Sequence, residues 1–255
     1  MPLSGGKTAP TFGALLLRGL LAGLIAGLLA GVFGYAVGEP RVDAAIALEE
    51  QAAHAAGNDG GHEQALVSRT AQKGGLLLAT GLYGVAMGGL LAIGYTVLRR
   101  RLRTVSDSRA ALSLAGAALL GVVLVPFGKY PPNPPAVGNP DTINQRTISY
   151  LAILVIGLVA VWAAVVASRT QQVEWRRATA GVLGFLIVVA VGYLLLPSID
   201  EVPGTFPPSL LWNFRLASLG TQIVLWGGLG LAFAALVTPR PAATGHPDRE
   251  AVAAA

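Results

Sequence analysis

Polar and apolar positions in this chain come in blocks rather than in alternation. Six apolar stretches, 19–37, 74–98, 110–127, 148–167, 178–196 and 216–237, contain no Asp, Glu, Lys or Arg and fill nearly half of the 255 residues. As helices rising about 1.5 Å per residue, each spans about 27 Å or more, which matches a hydrocarbon core about 30 Å thick. Lipid offers the backbone no hydrogen-bond partners, so a spanning segment is a helix or part of a closed barrel. Barrel strands alternate with a period of two, and these stretches do not. The pattern predicts an all-α, polytopic membrane bundle of six transmembrane helices. It forms a single domain over 1–240, followed by a tail over 241–255 that is read as disordered.

Composition supports this reading. The chain is 53% hydrophobic and 12% charged, about half the charged fraction of a soluble domain. A buried soluble helix of this length would also keep a polar face. The first stretch exceeds the apolar region of a signal peptide, about 7–15 residues, and is therefore read as a retained span.

The net charge of +5 raises nucleic acid as a partner, but the basic residues flank the spans, which fits topology better. Five arginines, Arg99, Arg100, Arg101, Arg103 and Arg109, crowd one short connection. With Lys7, Arg18, Arg169, Arg176, Arg177, Arg240 and Arg249, twelve basic residues fall on that side and six on the other. The richer side is predicted cytoplasmic, with both termini inside. Nine of the thirteen acids lie on the opposite, outer side, where they offer oxygen ligands to a cation.

Three outer segments differ in character. Residues 38–73 form the longest loop; within it 42–56 is predicted helical with Asp43 as N-cap, and 57–61 breaks it. Residues 128–147 carry Pro131, Pro132, Pro134 and Pro135, an extended and stiff run. Residues 197–215 carry Pro197, Pro203, Pro207 and Pro208. Inside the spans, Gly19, Gly23, Gly27 and Gly31 fall on one helix face, either for close helix packing or as a groove for a substrate. Gly84 and Gly88 repeat the spacing.

Chemistry-bearing residues are few. Without cysteine there is no disulfide, thiolate site or cysteine nucleophile. No histidine falls in a span, which argues against a membrane haem site, and no nucleotide-binding or zinc-protease motif is present. Glu50 and His54 stand four apart on one helix face, followed by Asp59 in the glycine turn and then His62 and Glu63. Imidazole with carboxylate suits divalent first-row metals; a solvated surface is the plainer alternative. Asp200 and Glu201 among the prolines read as a binding lip or a solvated turn, with Asp141 on the same side. Gln222, about two turns into the last span, is costly in lipid unless satisfied. It is either an interhelical hydrogen-bonding group or a pathway contact.

Three stretches carry a resemblance. The first is Pro126-Phe127-Gly128-Lys129-Tyr130-Pro131-Pro132-Asn133-Pro134-Pro135-Ala136-Val137-Gly138, continuing through Asn139-Pro140-Asp141-Thr142-Ile143 to Gln145-Arg146-Thr147. The second is Pro197, Glu201-Val202-Pro203 and Phe206-Pro207, leading into Leu210-Leu211-Trp212-Asn213-Phe214-Arg215-Leu216-Ala217-Ser218-Leu219-Gly220. The third is the glycine-rich first span followed by Glu39-Pro40 and an acidic loop. Together, from about Phe12 to Val237, they resemble the CbtA family of cobalt transporter subunits. The resemblance implies import of cobalt linked to vitamin B12 synthesis, with a small single-span CbtB partner whose end is rich in histidine. It implies cobalt as cargo and no cofactor. The family is described with five spans, against six stretches here.

A divalent cation needs ligands near the midplane, commonly intramembrane acids, and the six stretches hold none. Helix ends, exposed carbonyls, Gln222, a partner or a second copy are the available substitutes. The reading is a plasma-membrane transport subunit that captures its ion at the extracytoplasmic face. The alternative is an accessory or structural membrane protein that assembles with a partner without transporting. An enzyme fits least, because no nucleophile–base pair is evident.

Overall fold

The structure is a computed structural model, and it describes residues 10–55, 68–102, 106–135 and 137–238. The described residues are helical without a strand, in six helices long and apolar enough to cross a membrane: α1 (Phe12–Ala55), α2 (Arg69–Leu98), α3 (Asp107–Lys129), α4 (Pro140–Arg169), α5 (Glu174–Leu195) and α6 (Pro208–Val237). Each covers one of the six apolar stretches, α5 ending at Leu195, one residue short of its stretch.

Helix starts follow local chemistry. Thr11, Ser68 and Ser106 each accept a backbone N–H three residues on, which satisfies a donor that the first turn leaves free. Pro140 and Pro208 occupy first-turn positions of α4 and α6, where a missing N–H costs nothing.

On the face bearing the proline segments, every helix but α5 runs past its apolar stretch, which corrects the predicted loops. Helix α1 does not stop at Gly38 but continues to Ala55, and Asp43 is interior to it rather than an N-cap. Outside lipid, polar side chains extend a helix without penalty, so the end of an apolar run does not mark the end of the helix.

Pro40 lies within α1 and Pro126 within α3, where a proline ring would strike the carbonyl four residues back. Both are preceded by a π turn, at Gly34–Gly38 and Leu119–Leu124. The Glu39 N–H bonds Gly34 O, and the Val125 N–H bonds Leu120 O, each five residues back. The widened turn provides a local adjustment by which the helix accommodates the ring.

Helices α1 and α2 pack antiparallel through facing glycines. A Cβ added at Gly23 would fall on Gly84 O, and one at Gly84 would fall on Gly23 O and 2.7 Å from Gly27 Cα. The glycine face is thus filled by the neighbouring helix, leaving packing rather than a groove. A second crossing pairs Gly121 of α3 with Gly157 of α4. Helix α1 lies between α2 and α6, α6 lies against α1 and α3, α3 lies against α4, and α5 rests chiefly on α4. Leu225, Leu229 and Phe233 of α6 meet Ala22, Ala26, Leu91, Tyr95 and Ala115 in one core. Tyr95 meets Phe233 edge-on at 5.3 Å. The exterior is apolar, with Leu78, Leu90, Trp162 and Leu194 exposed, as lipid contact requires.

Candidate functional site

The face opposite the arginine-rich connection is held by three sets of polar contacts. In the first, Asp43 accepts from Arg69 Nε at 2.9 Å and from Lys73 Nζ at 2.6 Å, and Glu39 accepts from Arg69. These four groups join the extension of α1 to the start of α2. In the second, Lys129 Nζ donates to Tyr193 O at 2.9 Å, Tyr130 Oη to Pro197 O at 2.7 Å, and Tyr193 Oη to Val125 O at 2.6 Å. The end of α3 is thereby tied to the end of α5.

The third set centres on Glu201, whose side chain is only 12% exposed. It accepts from the Asn139 N–H at 3.0 Å, from Arg146 Nη1 at 3.2 Å and from the Thr142 hydroxyl. The Thr142 hydroxyl first, then the Asn139 N–H and the Arg146 charge, hold the Glu201 carboxyl below the usual carboxylate range, against an opposing push from burial. Gly138 has φ of +139°, a region that favours glycine, and a Cβ there would come 2.6 Å from Arg146 Nη1.

Beneath these ties lies a cavity of about 620 Å³. Its floor and walls come from α2, α3, α4 and α6, and its rim from Tyr130–Asn133 and from Ile199, Asp200 and Val202. Val122 and Val123, in the π turn of α3, line it. Polar groups reach in from Tyr83, Arg146, Tyr150, Arg215, Ser218 and Gln222. Gln222 lies seven residues beyond Arg215, about 10 Å deeper along α6. Its Oε1 is buried with no hydrogen-bond partner among the described residues, which costs about 1–3 kcal/mol for such a group, while the same amide interacts with the Tyr83 phenol.

The residues singled out from the sequence have different fates. Gln222 and Asp200 share the cavity. Glu201 stands behind its wall, committed to the loop contacts above. Asp141 is exposed in the 3-10 turn that opens α4. Glu50 and His54 are both exposed, one turn apart on the extension of α1. Asp59, His62 and Glu63 lie outside the described residues, as does the tail 241–255. Among the described residues, no three His, Asp or Glu side chains converge as a metal site would require.

The cavity itself escaped the sequence reading, although its signal was present. Arg215, Ser218, Leu219 and Gln222 are spaced by three, four and seven on α6, and Ile143, Arg146, Thr147, Tyr150, Leu151 and Leu154 repeat that spacing on α4. Each set is one helix face.

In a comparison with protein-family models the chain matches "Probable cobalt transporter subunit (CbtA)" over residues 12–238. The chain belongs to the CbtA family. No curated protein and no solved structure gives a significant match. Membership covers all six helices, both proline segments and the cavity between them. A CbtA chain is a multi-pass membrane protein and a transporter subunit, which implies further components and a non-enzymatic role.

Proposed function

We propose that this CbtA chain is the plasma-membrane subunit through which cobalt enters a cell that makes vitamin B12, with a CbtB-like single-span protein as its partner. The ion arrives at the extracytoplasmic face, which is the proline-segment face if the arginine-rich side is cytoplasmic. Glu50, His54, Asp59, His62 and Glu63 are the proposed first contacts. Asp200 and Asp141 are the proposed gate groups on the approach to the cavity, Glu201 keeps the rim in shape, and Gln222 is the deep ligand.

One observation carries this reading. The cavity on that face is lined by Gln222, whose buried amide oxygen has no hydrogen-bond partner among the described residues. A structural glutamine in apolar surroundings gains stability from a partner. An oxygen left without one gains a partner when a side-chain rotation turns it toward a passing cation.

The test is uptake of radioactive cobalt into vesicles reconstituted with the chain, with and without the partner. Gln222→Leu is expected to reduce uptake at least about tenfold, the equivalent of about 1.4 kcal/mol. It should at the same time raise the thermal midpoint, because an unsatisfied polar atom has been removed. Normal uptake by Gln222→Leu would eliminate the deep-ligand role. Absence of uptake with the partner present would instead favour an accessory role in assembly.

A further inference from the structure

The charges around the cavity bear on the form in which the metal enters, an inference that rests on the transport reading above. Two guanidinium groups line it, Arg146 and Arg215, against one carboxylate, Asp200. Arg146 is neutralised by Glu201 at 3.2 Å. Arg215 is not: Nε donates to Pro132 O at 3.4 Å and Nη2 to Asn133 Oδ1 at 2.9 Å, and no carboxylate pairs with it among the described residues. Its Nη1 has no hydrogen-bond partner among them either. The other polar groups named in the lining are phenols, hydroxyls and amides.

A bare divalent cation fits this lining poorly. Protein sites for hard divalent cations gather several oxygen ligands, carboxylates prominent among them. Here one carboxylate at the rim would be opposed by an unneutralised guanidinium, and like charges repel. The volume also leaves room for more than the ion and its first shell of water. Six waters around a cation occupy about 180 Å³ at about 30 Å³ each, whereas a volume of about 620 Å³ falls within the range of small-molecule pockets, about 300–1,000 Å³. A guanidinium held in place by two backbone and side-chain acceptors is, by contrast, suited to grip a carboxylate.

We propose that the cavity takes the metal as a complex with a small organic polycarboxylate, Arg215 holding a carboxylate of the complex while the metal faces the amide and phenol oxygens deeper in. A cation wrapped in its own anionic ligands brings the negative charge that the lining lacks. That provides a physical reason why the chain manages without intramembrane acids.

The experiment is titration calorimetry on the full-length chain in detergent, with cobalt citrate, citrate alone and free cobalt(II) as probes. Cobalt citrate is expected to bind about tenfold tighter than free cobalt, the scale of one charge-assisted hydrogen bond. Arg215→Gln should collapse that preference. Arg215→Lys keeps the charge without the fork and should weaken the complex several-fold, which serves if the glutamine variant does not fold. Equal binding of free and complexed cobalt, citrate alone binding as tightly as its cobalt complex, or complex binding unchanged in a folded variant would each overturn the proposal. Vesicle uptake separates it from the transport reading. Uptake of free cobalt that citrate suppresses would overturn the complex and leave transport standing. Binding of cobalt citrate with no uptake in any form would remove transport and leave the ligand class intact.

Discussion

Glu201 shows how one carboxylate can define a rim. Its three donors come from the segment Asn139–Arg146, while it sits itself in the segment between α5 and α6. Because these donors favour the charged form, its folded value lies below the ordinary one of about 4.3. The contribution to stability is therefore complete at neutral pH. It is lost progressively as pH falls below the ordinary value and through the lowered one. The thermal midpoint should drop on acidification over that window more steeply for the native chain than for Glu201→Gln. Parallel curves for the two would remove Glu201 from its proposed role. The sequence offered Asp200 and Glu201 as an acidic pair, but their neighbours divide the roles. Glu201 meets an arginine, a threonine and a backbone N–H, whereas among the described residues Asp200 accepts only from the Val202 N–H, at 3.4 Å, and lines the cavity.

At the scale of elements, glycine spacing and proline position govern the bundle. The pairing of α1 with α2 depends on backbone contact at Gly23, Gly27 and Gly84. Gly84→Val is expected to cost about 3 kcal/mol or more, since a backbone carbonyl cannot yield as a flexible side chain can. The measurement is thermal unfolding in mild detergent. Gly116→Ala is the control: nothing lies within 4 Å of its added Cβ, and alanine favours helix by about 1 kcal/mol. Equal effects of the two substitutions would refute the glycine contact as the basis of the pairing. The prolines act in the opposite sense, by widening a turn. Each π turn ends two residues before its proline, and the one in α3 supplies Val122 and Val123 to the cavity wall. The spacing of glycines was legible as one face of a helix, since that is a property of a single segment. The π turns were not, because a proline in a sequence shows a missing N–H and a bulky ring but not whether the helix ends there or widens to absorb it.

At the scale of the whole molecule, the bundle is tight at one end and open at the other. Near the arginine-rich connection, Tyr95 donates to Asp107 at 2.9 Å and Arg99 Nε donates to the same oxygen at 2.6 Å, closing α2 onto α3 above the core. Toward the proline segments, α2, α3, α4 and α6 all contribute residues to the cavity. Which end faces the cytoplasm rests on the asymmetry of basic residues, and the chain's lack of cysteine makes it directly testable. Single substitutions Asp200→Cys and Arg100→Cys, treated in intact cells with a membrane-impermeant maleimide, should label at position 200 at once and at position 100 only after permeabilisation. The reverse pattern would invert the topology and place the cavity inside.

The sequence by itself determined that six helices are long and apolar enough to cross a bilayer, because the length of an apolar run is set against a fixed thickness of hydrocarbon and needs no knowledge of neighbours. Membership of the CbtA family was likewise carried by contiguous motifs. Only the tertiary structure decided that α6 stands between α1 and α3, that Tyr130 reaches Pro197 and Arg215 reaches Asn133, and that the Gln222 amide oxygen ends at the base of a cavity without a partner among the described residues. Those facts depend on groups some seventy or eighty residues apart along the chain. Their meeting is fixed by packing in three dimensions, for which no single segment carries the instruction.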